Sequence, residues 1–177
     1  MHPFRVIGIP DEIAHAVRAT RRAPVYGHPV HSEVATGYGP CRACLRAFAV
    51  GTDRRLLFTY DCFARREDLP LPGPVFIHES SCERYPEDGG FPDDSRRHAL
   101  TFNAYGRGRR LVAQEYVRDG AVEPVIERLF AVREVDYIHV RDTEAGCFDF
   151  SIAPDAATDR WRIAFTTRNG TDSAAST

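Results

Sequence analysis

The sequence predicts an α+β fold: a mainly antiparallel β-sheet of about eight or nine strands, with two short helices packed on it. Three observations carry this. Most apolar residues fall in short runs of strand length, bounded by Gly, Pro and Asp. Several runs come in pairs joined by turn residues, as hairpins do. Only two stretches show the periodicity of a helix.

In chain order, Phe4, Val6 and Ile7 ahead of Gly8 and Pro10 read as a first strand. Asp11 is placed to cap a helix reaching about Arg18, with Ile13, Ala14 and Val17 at helical spacing and Glu12 in the first turn. Residues 21–40 hold prolines, glycines, His28 and His31 with little periodicity, and read as a long loop. Residues 45–50 and 56–63, joined through Gly51-Thr52-Asp53, read as a hairpin. Residues 74–79 form a short apolar strand and 80–94 a loop rich in Pro and Gly. Residues 100–105 and 111–117 make a second hairpin around Gly106-Arg107-Gly108. The clearest helix follows, because Val122, Val125, Ile126, Leu129 and Phe130 line one face and Pro124 suits a first turn. Residues 135–142 and 147–153 give a third hairpin, and 161–166 a final strand. One globular domain over 4–167 is expected, with a disordered tail over 168–177.

Composition then narrows the chemistry. The chain has 177 residues, 23 basic against 25 acidic, a net charge of −2. This balance speaks against a dedicated nucleic-acid binder. No run approaches the ~20 apolar residues of a membrane span. An odd count of 5 cysteines and no signal peptide point to free thiols in a reducing cytoplasm. Every basic residue is arginine; there is no lysine. That excludes a Schiff base, a pyridoxal phosphate aldimine and a P-loop lysine. Covalent or acid–base work falls to thiol, imidazole, carboxylate or phenol.

The third hairpin offers one candidate site. Burying Ile138 and Val140 with Phe148 and Phe150 sets Val140 opposite Phe148 and Ile138 opposite Phe150. His139 then faces Asp149 and Arg141 faces Cys147, all on one polar face. A thiol beside a cation favours its thiolate, and an imidazole beside a carboxylate is a better base. Cys147 would be the nucleophile, His139 the base and Asp149 its orienting partner. Arg42, Arg141, Tyr137 and Tyr85 are the candidates to bind an anionic substrate. The plain competing reading is a solvated hairpin face with ordinary cross-strand pairs.

A second candidate is metallic. Cys41-Arg42-Ala43-Cys44 is a C-x-x-C pair, and no second pair exists to complete a zinc site. His78 and Cys82, four residues apart, are the other candidate ligands. Zinc or copper is the metal such a set would take. The bland alternative is small apolar side chains in a core.

The pieces Phe4-Arg5-Val6, Pro40-Cys41-Arg42, Cys44-Leu45, Gly73-Pro74-Val75-Phe76-Ile77-His78, Cys82-Glu83-Arg84-Tyr85, Tyr137-Ile138-His139-Val140-Arg141 and Gly146-Cys147-Phe148 stand in a familiar order. Over residues 4–153 the chain resembles a bacterial family of unknown function, DUF1203. The resemblance implies a compact domain built around the Cys-Arg segment, the strand ending at His78 and the His139–Cys147 hairpin, but no activity. The leading expectation is thus a small cytosolic enzyme acting on a small anionic molecule through a Cys/His/Arg site, with no cofactor required. A metal-binding protein and a non-catalytic ligand-binding module are its rivals. A small-molecule ligand is the expected partner, without nucleic acid or membrane, and an open sheet edge leaves room for a homodimer.

Overall fold

A computed structural model describes residues 3–37, 39–63 and 71–155. The strand expected over 161–166 and the tail over 168–177 lie outside the described residues. Within them the fold is α+β and dominated by sheet. Its eight strands form two antiparallel sheets, accompanied by two α-helices.

The larger sheet is five-stranded. It contains β1 (Phe4–Ile7), β5 (Leu100–Gly106), β6 (Arg110–Val117), β7 (Tyr137–Asp142) and β8 (Phe148–Pro154), in the spatial order β1-β8-β7-β5-β6. Helix α2 (Val122–Ala131) covers one face with Val122, Val125, Ile126 and Leu129, the stripe its spacing predicts. Together they enclose a core of Phe102, Phe150, Leu100, Ile138, Val140 and Ile152. Each such side chain contributes roughly 1.5–3 kcal/mol on burial.

The smaller sheet is three-stranded, in the order β2-β3-β4: β2 (His31–Val34), β3 (Arg54–Asp61) and β4 (Pro72–His78). Here the sequence expectation needs correction. The strand expected over 45–50 does not form, and β3 pairs instead with β2, from the stretch read as loop. The reason is local. The chain turns through residues 42–44, and Leu45 stands at φ 57, outside the extended region a strand requires. Helix α1 (Asp11–Thr20) also begins one residue earlier than a cap at Asp11 implies. Pro10 is its N-cap, and Asp11 and Glu12 occupy the first turn.

A second core lies where α1, the small sheet and the C-x-x-C turn meet. Ala14, Val17, Leu56, Phe58, Val75 and Ile77 pack there with Cys41 and Cys44. Gly8 permits this approach. A Cβ at Gly8 would stand 2.9 Å from the Arg42 carbonyl oxygen and 3.1 Å from that of Ala43. The next residue, Ile9, donates its N–H to the Arg42 carbonyl at 2.7 Å.

The third hairpin has a different register from the expected one. Val140 pairs with Phe150 and Ile138 with Ile152, two residues further along β8. A bulge follows, because Arg141 pairs with Phe148 and so leaves Asp149 as the extra residue. The bulge reverses the side on which Phe148 lies. Phe150 and Ile152 enter the larger core, whereas Phe148 joins the second.

Candidate metal centre

Two segments meet at one end of the small sheet. The first is the C-x-x-C turn. The Leu45 N–H bonds the Cys41 carbonyl at 2.8 Å, and the Cys41 N–H bonds the Arg46 carbonyl at 2.9 Å. This tight return brings both thiols to one side of the turn. Neighbouring chain holds it in place. The Arg42 N–H donates to the Phe76 carbonyl at 2.9 Å, and the Tyr85 N–H to that of Ala43 at 3.0 Å. The second segment is the end of β4 and the loop after it, which supply His78 and Cys82.

The four side chains converge. One ligand atom from each of Cys41, Cys44, His78 and Cys82 lies within 4.8 Å of all the others. Cys41 Sγ and Cys82 Sγ are 3.8 Å apart, and Cys44 Sγ is 3.5 Å from His78 Nδ1. Tetrahedral zinc, with Zn–S near ~2.3 Å and Zn–N near ~2.05 Å, sets S···S edges of ~3.8 Å and S···N edges of ~3.6 Å. Both separations match those edges. A sulfur pair at 3.8 Å is far from the ~2.05 Å of a disulfide. All five cysteines are free thiols.

A second layer of groups surrounds the first. The far nitrogen of His78, Nε2, meets Asp53 Oδ2 at 3.2 Å, which orients the ring and leaves Nδ1 turned toward the thiols. The same carboxylate oxygen accepts the Ala49 N–H at 2.8 Å, so the turn before β3 holds it. Cys41 and Cys82 also have an N–H donor each. The backbone N–H of His78 reaches Cys41 Sγ at 3.3 Å. Arg18, on α1, donates from Nη2 to Cys82 Sγ at 3.2 Å and from Nε to the His78 carbonyl at 3.0 Å. Such donors stabilise thiolates, the form in which cysteine binds metal.

The electrostatics point the same way. Hydrogen bonds from Cys41 and Cys82 pull the Cys44 thiol well below its usual range. The same bonding to Cys44, and then to Cys82, pushes Cys41 well above it. His78 is raised to about 10, first by its bond to Cys44 and then by Cys82. Without a cation the cluster sustains one thiolate and suppresses the next. A bound dication removes that conflict.

The residues proposed for catalysis from the sequence are not gathered in this way. His139 is 0% exposed, ringed by Phe63, Tyr105, Tyr137 and Phe148 at centroid distances of 4.6–5.2 Å. The face expected to meet solvent is covered by a small aromatic cluster of Phe63, Tyr105 and Tyr137, together with Phe148 of the second core. Asp149, displaced by the bulge, is buried and pairs with Arg42 Nη2 at 2.7 Å rather than facing His139. Burial pushes its carboxyl up to about 6 against the pull of Arg42. Cys147 stands in the turn, with its thiol toward the Ala145 carbonyl at 3.7 Å.

The candidate anion binders are likewise dispersed. Arg42 is enclosed, donating to the Phe148 carbonyl at 2.8 Å besides its ion pair. Arg141 bonds the Gly146 carbonyl at 3.1 Å and approaches Cys62 Sγ at 3.7 Å. Tyr137 is buried and stacks on Tyr105 at 5.4 Å. The Tyr85 hydroxyl donates to the Gly89 carbonyl at 3.1 Å. The groups missed by sequence reasoning are Asp53, Arg18 and Arg46. Asp53 carries the one usable signal, an acid in the turn preceding a strand, and nothing local ties it to His78.

A family described as a protein of unknown function, DUF1203, matches residues 38–153. The chain belongs to DUF1203. The match holds all four cluster residues and begins after β1 and α1, which the resemblance over 4–153 had included. No curated protein and no solved structure matches the chain. This DUF1203 chain therefore takes its functional reading from its own geometry. Among its described residues, no helix is long and apolar enough to cross a membrane.

Proposed function

We propose that this protein binds one zinc ion through Cys41, Cys44, His78 and Cys82, and that the ion ties the C-x-x-C turn to the end of β4. The observation that carries this reading is the convergence of the four ligand atoms within 4.8 Å. Two of their separations are those a tetrahedral ion requires. Asp53 behind His78 supports it independently, since zinc-binding histidines regularly donate their other nitrogen to a carboxylate. Three sulfurs and one nitrogen suit a soft or borderline cation and disfavour magnesium or calcium. Four protein ligands make the resting site structural in type.

Elemental analysis tests this on protein purified without a histidine tag. The expected result is one zinc per chain, lost in Cys41→Ser/Cys44→Ser and retained in Cys147→Ser. Wild-type protein that takes up no zinc at micromolar concentrations, and melts unchanged with or without chelator, overturns the reading.

A further inference from the structure

Beside the cluster lies a cavity of about 350 Å³ that opens to solvent. Arg46, Asp53, Ser80 and Ser81 line it, together with the ligands His78 and Cys82. Cys41 and Cys44 do not reach it, so the cavity touches the centre only on its His78–Cys82 side. Resting on the zinc reading above, we propose that this cavity binds a small anionic thiol bearing a carboxylate, and that Cys82 is the ligand it displaces from the metal.

Four observations single out Cys82. Cys41, Cys44 and His78 are 0%, 4% and 9% exposed, while Cys82 is half-buried. Cys41 and Cys44 are locked in a hydrogen-bonded turn, and His78 is held by β4 and Asp53. Cys82 follows the exposed pair Ser80-Ser81 in a loop. Arg18 stands 3.2 Å from its sulfur, placed to hold the thiolate once it leaves the metal.

The lining sets the ligand class. Arg46 is an exposed guanidinium on the cavity wall and the serines add hydroxyl donors, a set that suits carboxylate oxygens. The Asp53 carboxylate also faces the cavity, but the Ala49 N–H and His78 Nε2 already engage it. A thiolate replaces a thiolate without altering the donor set. In the exchange the Cys82 Sγ–metal bond breaks and the ligand sulfur–metal bond forms. The proton of the incoming thiol passes to solvent, Cys82 leaves as the thiolate that Arg18 holds, and nothing is oxidised or reduced.

Cobalt(II) loaded in place of zinc reports this through its visible bands, with mercaptoacetate as the probe. The expected result is a saturable band shift at constant bound cobalt. Arg46→Gln raises the midpoint about tenfold, as loss of a charged hydrogen bond does, and Ser81→Trp, which fills the cavity from an exposed position, removes the response. Cys82→Ala, with a coordination position already vacant, lowers the midpoint. Three outcomes overturn the inference while the zinc reading stands: bands that never move at millimolar probe, cobalt stripped with no intermediate spectrum, or a midpoint unchanged in Arg46→Gln. A chain that binds neither cobalt nor zinc overturns both.

Discussion

The two sheets of this protein are held in different ways. The five-stranded sheet and α2 enclose large apolar side chains, with Phe91 against Phe102 and Phe150 at 5.9 and 5.3 Å. Its strands form long ladders, and apolar burial is enough to hold them. The three-stranded half starts from poorer material. Its edge strand β2 has four residues, none fully buried, and in its core alanines and two cysteines sit among Leu56, Phe58, Val75 and Ile77, whereas the larger core has a single buried alanine and no cysteine. Two of its irregular segments, the C-x-x-C turn and the loop after β4, meet at the Cys3His cluster. On the zinc reading, the half with less apolar burial is completed by a few strong ligand contacts, as in small metal domains.

The largest expected effect is therefore the loss of metal. Chelation or Cys44→Ser should expose the amides of residues 31–34, 41–48 and 72–82 to hydrogen exchange, and leave β5, β7 and β8 protected. At free zinc ~1,000-fold above Kd the ion stabilises by about 4 kcal/mol, and a thermal melt with and without chelator measures this. Uniform loss of protection in both halves would break the comparison.

The mirror experiment lies in the larger core. Phe102→Ala, at a position 0% exposed, should cost about 3–5 kcal/mol in denaturant unfolding. Zinc stoichiometry should be unaltered, because Phe102 packs in the larger core and the cluster lies against the second.

The buried Arg42–Asp149 pair joins the two halves, and its pH dependence sharpens the picture. The Asp149 carboxyl is raised from 3.8 to about 6. A raised acid binds its proton more tightly in the folded state, so its contribution is full below pH 3.8 and is lost as pH rises through about 6. Stability of wild type relative to Asp149→Asn, measured in chelator, should fall by on the order of 2–3 kcal/mol across that window. A flat difference would show that Arg42 offsets the burial fully.

The smallest expected effect is at the outer layer. Asp53→Asn keeps the shape but weakens the hold on His78, and should lower zinc affinity about 10–100-fold. A competition titration against a chromophoric chelator reads this directly.

Much of this was legible in the sequence. The α2 stripe, the hairpins β5–β6 and β7–β8 and the strand ending at His78 follow from periodicity and turn residues, which are local properties. So does the identity of the four cluster residues, since cysteine and histidine are few and each declares its chemistry. The partner of β3 was not legible, because His31–Val34 is short, mostly polar and set between Pro29 and Gly37, and looks like loop until β3 is there to pair with it. The polar face proposed for His139 failed for a related reason. Alternation fixes which side chains share a face but not what covers that face, and Phe63 and Phe148 close over it.

The sequence by itself determined the α+β class, the absence of amine chemistry and the set of thiols and imidazoles from which any site must be drawn. Tertiary structure alone decided which of them meet. A bulge at Asp149 sent one carboxylate to Arg42 instead of His139. Meanwhile the turn at Cys41 met the end of β4 across 37 residues of chain. Register and loop closure are settled by long-range packing, and no local pattern in the chain encodes them.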